Sequence, residues 1–262
     1  MNPLQQPEDL HAPVLEVEAL GRRFGAFTAL EDVSATFGKE RITAIIGPNG
    51  AGKSTLFNLL SGALAPTAGR LRFGGRNMTR MPQARFAHLG IARSYQITNV
   101  FPRLTAHENL RTAMQARWSR YDFWSRRDAL TGLAERADAL LADIGLADRR
   151  DRPAASLAHG EQRALEIGIA LASDPKLLLL DEPTAGMGPE ETKEMVALLR
   201  RLGETRTILL VEHKMKMILG LSERILVLHH GRLIADGTPA EIQADREVRR
   251  VYLGQSGGYG HA

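Results

Sequence analysis

The chain has 262 residues, enough for one large α/β domain with a smaller insertion, and its 44% hydrophobic share is sufficient for a buried core. A formal charge of +4 could serve nucleic acid, an anionic membrane face or a phosphate ligand, but the 34 basic and 30 acidic residues are interspersed, as on a mixed solvated surface. The lack of cysteine excludes a disulfide framework, and no uninterrupted apolar run is long enough to cross a bilayer.

Residues 1–11 are polar, with Pro3 and Pro7, and lack the basic-then-apolar order of a secretory signal, so the expected location is cytoplasmic. Residues 14–19 (VLEVEA) alternate and predict an edge-type strand; residues 32–37 predict another. The β-branched run 42–46 stops at Gly47, as a buried strand meeting a loop would. From Ser54 the spacing of Leu56, Leu59 and Leu60 is helical until Gly62, and residues 66–69 read as a turn before a strand at 70–73. Residues 82–157 differ: amphipathic stretches such as 108–117 and 130–144 predict a helical subdomain inserted into the core. Strands follow at 177–180, 208–211 and 225–228, separated by helical patterns at 190–202 and 214–221. That alternation argues for a mainly parallel sheet covered on both faces. Residues 229–234 around Gly231 predict a terminal hairpin, and the Gly-rich end is expected to fray.

The strongest chemical signal is Gly47-Pro48-Asn49-Gly50-Ala51-Gly52-Lys53-Ser54-Thr55, which satisfies G-x-x-x-x-G-K-[ST] between a predicted strand and a predicted helix. Its glycines allow successive N–H groups to point at phosphate oxygens, and the following helix adds the positive end of its dipole. Lys53 can reach the β- and γ-phosphates, and the Ser54 hydroxyl can ligate Mg²⁺. By itself the loop implies only a nucleoside triphosphate.

An apolar strand ends in Asp181-Glu182-Pro183. Asp181 is placed to hold Mg²⁺ and Glu182 to polarise an attacking water. Strand-ending Asp-Glu-Pro is also ordinary turn chemistry, but a phosphate loop in the same chain favours the functional reading. The next strand ends at Glu212-His213. A lone strand-end histidine is more often structural; here it falls where parallel strands gather their ligand.

The segment Ser156-Leu157-Ala158-His159-Gly160-Glu161-Gln162-Arg163 resembles the signature of ABC-type ATPases, usually L-S-G-G-Q, ahead of the Asp-Glu strand by the separation usual in that family. Gln96 matches the family's Q-loop glutamine, Phe24 its adenine-stacking aromatic and His213 its switch histidine. The resemblance spans roughly residues 14–253. It implies a P-loop (RecA-like) α/β core with a mainly parallel sheet, N-terminal antiparallel strands and an inserted α-helical subdomain. The expected division is a tail at 1–12, one ATPase domain at 13–255 with the insertion at about 82–157, and a tail at 256–262.

The resemblance also implies ATP and Mg²⁺ as ligands and head-to-tail closure of two ATPases. Each nucleotide would lie between one subunit's phosphate loop and the other's signature, here Leu157, Ala158, His159, Gly160 and Glu161. Gln96 would join Ser54 and Asp181 at the metal, Glu182 would act as base or water-positioner, His213 would touch the γ-phosphate, and Phe24 would stack on adenine. The turn Thr184-Ala185-Gly186-Met187-Gly188-Pro189, with Ile91 to Gln96 and the tail Val251-Tyr252-Leu253-Gly254, is similar to importers of branched-chain amino acids and related amides. The expected partners are two membrane permease subunits, a second and different ATPase, and indirectly a substrate-binding protein, at the cytoplasmic face of the inner membrane; nucleic acid is not expected. Amide import, lipid or lipopolysaccharide export, and soluble ATPases of translation or DNA repair are the alternatives.

Two departures stand out. Ala158 replaces the signature serine and Gly188 the usual D-loop aspartate. Residues 117–127 interleave basic and aromatic side chains, and the readings are a packed loop, a contact with the membrane subunit or headgroups, or a single-strand binder.

Overall fold

A computed structural model describes residues 14–94, 100–118 and 127–253. Gln96, residues 119–126 of the basic-aromatic segment and the two expected tails lie outside them. The chain divides into two compact units, residues 1–83 with 213–262, and residues 84–212.

The first unit opens with β1 (Leu15–Phe24) and β2 (Phe27–Phe37), an antiparallel hairpin, followed by β3 (Ile42–Ile46), α1 (Lys53–Leu60), β4 (Ala68–Phe73) and β5 (Arg76–Asn77). Four of these strands form an antiparallel sheet in the order β2-β1-β4-β5. The expectation that residues 14–19 form an edge strand is therefore corrected: β1 is paired on both sides, by β2 and by β4. Alternation reports one buried face, and an interior strand of an antiparallel sheet shows the same alternation as its edge. The alternation stops at Ala19 because its backbone is left-handed (φ 47°), and the register to β2 shifts between Val17 and Leu20.

β3 is buried at every residue, as expected of a β-branched run with no polar face. It pairs in parallel with β9 (Arg224–His229), which turns through His230 and Gly231 into antiparallel β10 (Arg232–Gly237). This is the hairpin the sequence predicts.

The second unit starts with α2 (Gln83–Leu89), whose first residue belongs to the other unit, and β6 (Ile91–Ser94). Four residues are too few to show alternation, so β6 was invisible within a stretch that otherwise reads as helical. Then come α3 (Ala106–Trp118), α4 (Arg127–Asp143), α5 (His159–Leu171), β7 (Leu177–Asp181), α6 (Pro189–Gly203) and β8 (Thr207–Val211). β7 lies between β6 and β8 and pairs in parallel with both. Burial on both faces explains why β7 and β8 read as unbroken apolar runs. Helix α5 packs closely: a Cβ on Gly168 would sit 2.7 Å from Ile144 Cδ1 and 3.0 Å from Leu110 Cδ2, so hydrogen is what that contact admits. The first unit also holds α7 (Met215–Leu221) before β9, and α8 (Pro239–Ala244) and the short α9 (Arg246–Val248) after β10. Among the described residues, no helix is long and apolar enough to cross a membrane.

Candidate nucleotide site

Within the first unit, β3 ends at the phosphate loop and α1 begins at Lys53, with Gly52 as its N-cap in a left-handed conformation (φ 100°). The loop's shape depends on three positive-φ glycines for different reasons. A Cβ on Gly47 (φ 156°) would lie 2.2 Å from the Leu228 carbonyl oxygen, and one on Gly52 2.8 Å from that of Ala29. Gly50 (φ 79°) faces open space, so only its torsion demands glycine. Ala51 fixes the middle: its N–H donates to Pro48 O at 3.2 Å, and its carbonyl accepts from Gly231 N–H at 3.0 Å. The β9–β10 turn is thus a strut for the loop. Lys53 folds back over it, donating from Nζ to Gly47 O at 2.6 Å and Pro48 O at 2.9 Å. Asn49, Gly50 and Ser54 are exposed, while Pro48 and Thr55 are half-buried.

Phe24 closes β1, 43% exposed, with the Arg22 guanidinium 4.6 Å from its ring centroid. A base stacking on that face of the ring would displace a cation already there. His213, at the first unit's entry after β8, is exposed.

Within the second unit, β7 delivers Asp181 and Glu182 in succession. Asp181 is buried and accepts a hydrogen bond from Arg93 Nη2 of β6 at 3.1 Å. Glu182 takes the left-handed region (φ 46°), and its N–H donates to Val211 O at 2.9 Å. Arg163 of α5 donates from Nη2 to Asp181 O at 2.6 Å and from Nη1 to Glu166 Oε2 at 2.6 Å. The helix that begins in the signature-like segment is thereby tied to the strand end that carries both carboxylates.

That helix starts without a side-chain cap, because Ala158 at its N-cap offers no acceptor. Two glutamates compensate. Glu161 reaches back to Ala158 N–H at 2.9 Å and accepts from Arg149 Nε at 2.7 Å. Burial would raise its pKa, but the Ala158 amide and Arg149 outweigh that, and the carboxyl sits below its ordinary value. Glu191 bridges two helix starts, accepting from Gly188 N–H and Gly160 N–H, each at 3.0 Å. Those two amides, Gly188's first, hold its carboxyl below the ordinary range. Leu157 is buried, Ala158 and His159 are exposed, and Gly160 is half-buried. A Cβ on Gly186 would lie 3.2 Å from His159 Cε1, so the turn after Glu182 also meets the signature-like segment.

The sequence reading brought forward neither Glu191 nor Arg163 nor Arg93 as a participant. The first had a signal, since Gly188-x-x-Glu191 and Ala158-x-x-Glu161 both follow capping-box spacing. The arginines had none, because their partners are distant in sequence. Of the residues expected to hold Mg²⁺, Ser54 in the first unit offers an exposed hydroxyl and Asp181 in the second a buried carboxylate, both hard oxygens. No group of three or more His, Cys, Asp or Glu side chains able to hold a metal occurs among the described residues.

A family model described as "ABC transporter" matches residues 30–185, and one described as "Branched-chain amino acid ATP-binding cassette transporter" matches residues 232–257. The chain is 39% identical to the high-affinity branched-chain amino acid transport ATP-binding protein LivG of Salmonella typhimurium, over 93% of this chain and 99% of that protein. It is 37% identical to BraF of Pseudomonas aeruginosa, a protein of the same description, with the same coverage. Among solved structures, the ADP conformation of an ATP-binding cassette from an ABC transporter is similar with a TM-score of 0.80 and 29% identity, covering 93% of this chain and 99% of that one.

Proposed function

The chain belongs to the ABC transporter family of ATP-hydrolysing subunits, and we propose that its system imports branched-chain amino acids. The observation that carries the cargo class is the match of residues 232–257 to the branched-chain-specific model, since those residues lie outside the segment matched by the general family model. In this reading the chain is a peripheral subunit at the cytoplasmic face of the inner membrane. It pairs with a second, different ATPase on two permease subunits, and a substrate-binding protein delivers the cargo.

The chemistry assigned to each residue follows from what phosphoryl transfer needs, positioning and charge stabilisation. The N–H groups of Gly47, Asn49, Gly50, Ala51, Gly52, Ser54 and Thr55 cradle phosphate oxygens, that of Ala51 by leaving Pro48 O, while Pro48, which has no N–H, contributes shape alone. Lys53 exchanges the Gly47 and Pro48 carbonyls for the β- and γ-phosphates. Ser54, Asp181 and Gln96 would hold Mg²⁺, which would supply positive charge to offset that of the phosphates. Glu182 orients the attacking water, His213 contacts the γ-phosphate, and Phe24 stacks on adenine. Leu157, Ala158, His159, Gly160 and Glu161 close over the nucleotide of the companion ATPase.

The test is purification of the tagged full chain from gently solubilised membranes, followed by leucine uptake in proteoliposomes. The expected result is co-purification of two hydrophobic subunits and a second ATPase, with ATP-dependent uptake that Lys53→Ala abolishes. Recovery of ribosomal or DNA-repair proteins without membrane subunits would overturn the transport reading. An intact complex that takes up no branched-chain amino acid would overturn the cargo.

A further inference from the structure

Glu182 holds a backbone conformation that a residue with a Cβ disfavours, and such a conformation persists only where its surroundings over-determine it. The constraints can be traced. Glu182 N–H donates to Val211 O at 2.9 Å, and Glu182 O accepts from Ala185 N–H at 3.1 Å. Two residues on, Thr184 is fully buried, and both its N–H (3.0 Å) and its hydroxyl donate to one oxygen, Glu212 Oε1. Glu212 is 1% exposed and directly follows Val211. Two consecutive residues at the end of β8 therefore hold the 182–184 turn, one by its carbonyl and the next by its carboxylate.

A carboxylate is an expensive way to fill buried space, because its lost hydration must be replaced by hydrogen bonds. An apolar side chain would serve packing better. What a carboxylate supplies here is an acceptor strong enough to take two donors from one residue and fix where the turn after Glu182 runs. We propose that Glu212 is a positioning residue for hydrolysis: by clamping Thr184 it holds Glu182 in the left-handed conformation that aims its carboxylate at the attacking water. This rests on the reading of Glu182 as the group that orients that water.

The test uses the tagged full chain in the membrane complex with which it purifies. Turnover and equilibrium nucleotide binding are measured for Glu212→Ala, Glu212→Gln and Thr184→Val, each with Glu182 intact and in a Glu182→Gln background. Since about 1 Å of misplacement can cost on the order of 100-fold in rate, Glu212→Ala should lower kcat by roughly 10- to 100-fold while nucleotide Kd stays within about twofold. Glu212→Gln, whose carbonyl oxygen can accept both bonds, should restore most of the rate. Thr184→Val keeps the shape and the N–H but removes the hydroxyl, and should lose about tenfold; it decides the matter should Glu212→Ala not fold. In the Glu182→Gln background, Glu212→Ala should cost less than about twofold more, because its effect passes through Glu182.

Parental kcat in a folded Glu212→Ala or Thr184→Val protein would overturn the proposal. So would a Glu212→Ala loss that is equal in both backgrounds, or one matched by weakened binding. Parental turnover in Glu182→Gln alone would instead refute the reading of Glu182, and the proposal would fall with it.

Discussion

Replacing Gly47 by alanine isolates what the phosphate loop's backbone needs. The new Cβ would start 2.2 Å from Leu228 O, whereas a tolerable carbon–oxygen contact is roughly 3.3 Å, so loop or strand must shift by about 1 Å. Backbone strain at φ 156° adds about 1–3 kcal/mol, and overpacking against a strand carbonyl a similar amount, for a total of about 4 kcal/mol. Gly50→Ala is the control. Its φ of 79° is equally unsuited to alanine, but nothing lies within 4 Å of the added carbon, leaving about 1 kcal/mol of torsional cost. At roughly 2–4 °C per kcal/mol for a chain near this size, Gly47→Ala should lower Tm by roughly 8–16 °C and Gly50→Ala by roughly 2–4 °C. A displaced loop should weaken ATP binding by about 100-fold or more in the first variant and by less than about tenfold in the second. Thermal melts of the full chain and titration with a fluorescent ATP analogue read both quantities. Equal damage from the two substitutions, or a Gly47→Ala protein that melts and binds like the parent, would refute the claim that contact with β9 sets the loop's shape.

Glu182→Gln should retain nucleotide binding, slow phosphate release by about 100-fold or more, and accumulate an ATP-bound dimer detectable by light scattering. Ala158→Ser supplies the missing N-cap acceptor of α5, where the backbone is already extended (φ −62°, ψ 160°), and should add about 1 kcal/mol, or roughly 2–4 °C in Tm. Glu191 has a folded pKa below its ordinary 4.5, so its stabilisation is complete above that pH and is lost as pH falls through the lowered value. Glu191→Gln should therefore melt below the parent at neutral pH, with the gap closing in acid; a gap that stays constant from pH 7 to 3 would exclude the ionised clamp.

The elements that were legible in the sequence are those whose burial is uniform or periodic over five or more residues. The strands β3, β7 and β8 read as apolar runs because both faces are covered. The α1 helix was announced by Leu56, Leu59 and Leu60, and the β9–β10 turn by Gly231. The failures have local causes. The reading of β1 as an edge mistook one buried face for an unpaired side, and neighbours are a property of the sheet, which alternation does not record. β6 is four residues long, and its Arg93 looks like a surface residue until its bond to Asp181 across 88 positions is seen.

For the proposed site, the same distinction separates residues assigned to the substrate from residues that hold them. Lys53, and separately Asp181 with Glu182, lie in short contiguous patterns that can be read directly from the sequence. Arg163, Glu191, Thr184 and Glu212 meet their partners across 18, 31 and 28 residues, through helix and strand ends that only the fold juxtaposes. Two of the four are acids whose carboxylates serve backbone amides and, at Glu212, the Thr184 hydroxyl as well. In composition they count as ordinary negative charge, yet each fixes a turn beside the residues assigned to ATP. Their common feature is that one carboxyl group secures two donors at once, Glu212 on a single oxygen and Glu191 on one oxygen each. Glu212→Gln keeps the one oxygen that takes both bonds and should be milder than Glu212→Ala, whereas Glu191→Gln sets an NH2 group against one of the two amides and should recover little over Glu191→Ala; equal recovery at both positions would refute this difference in geometry.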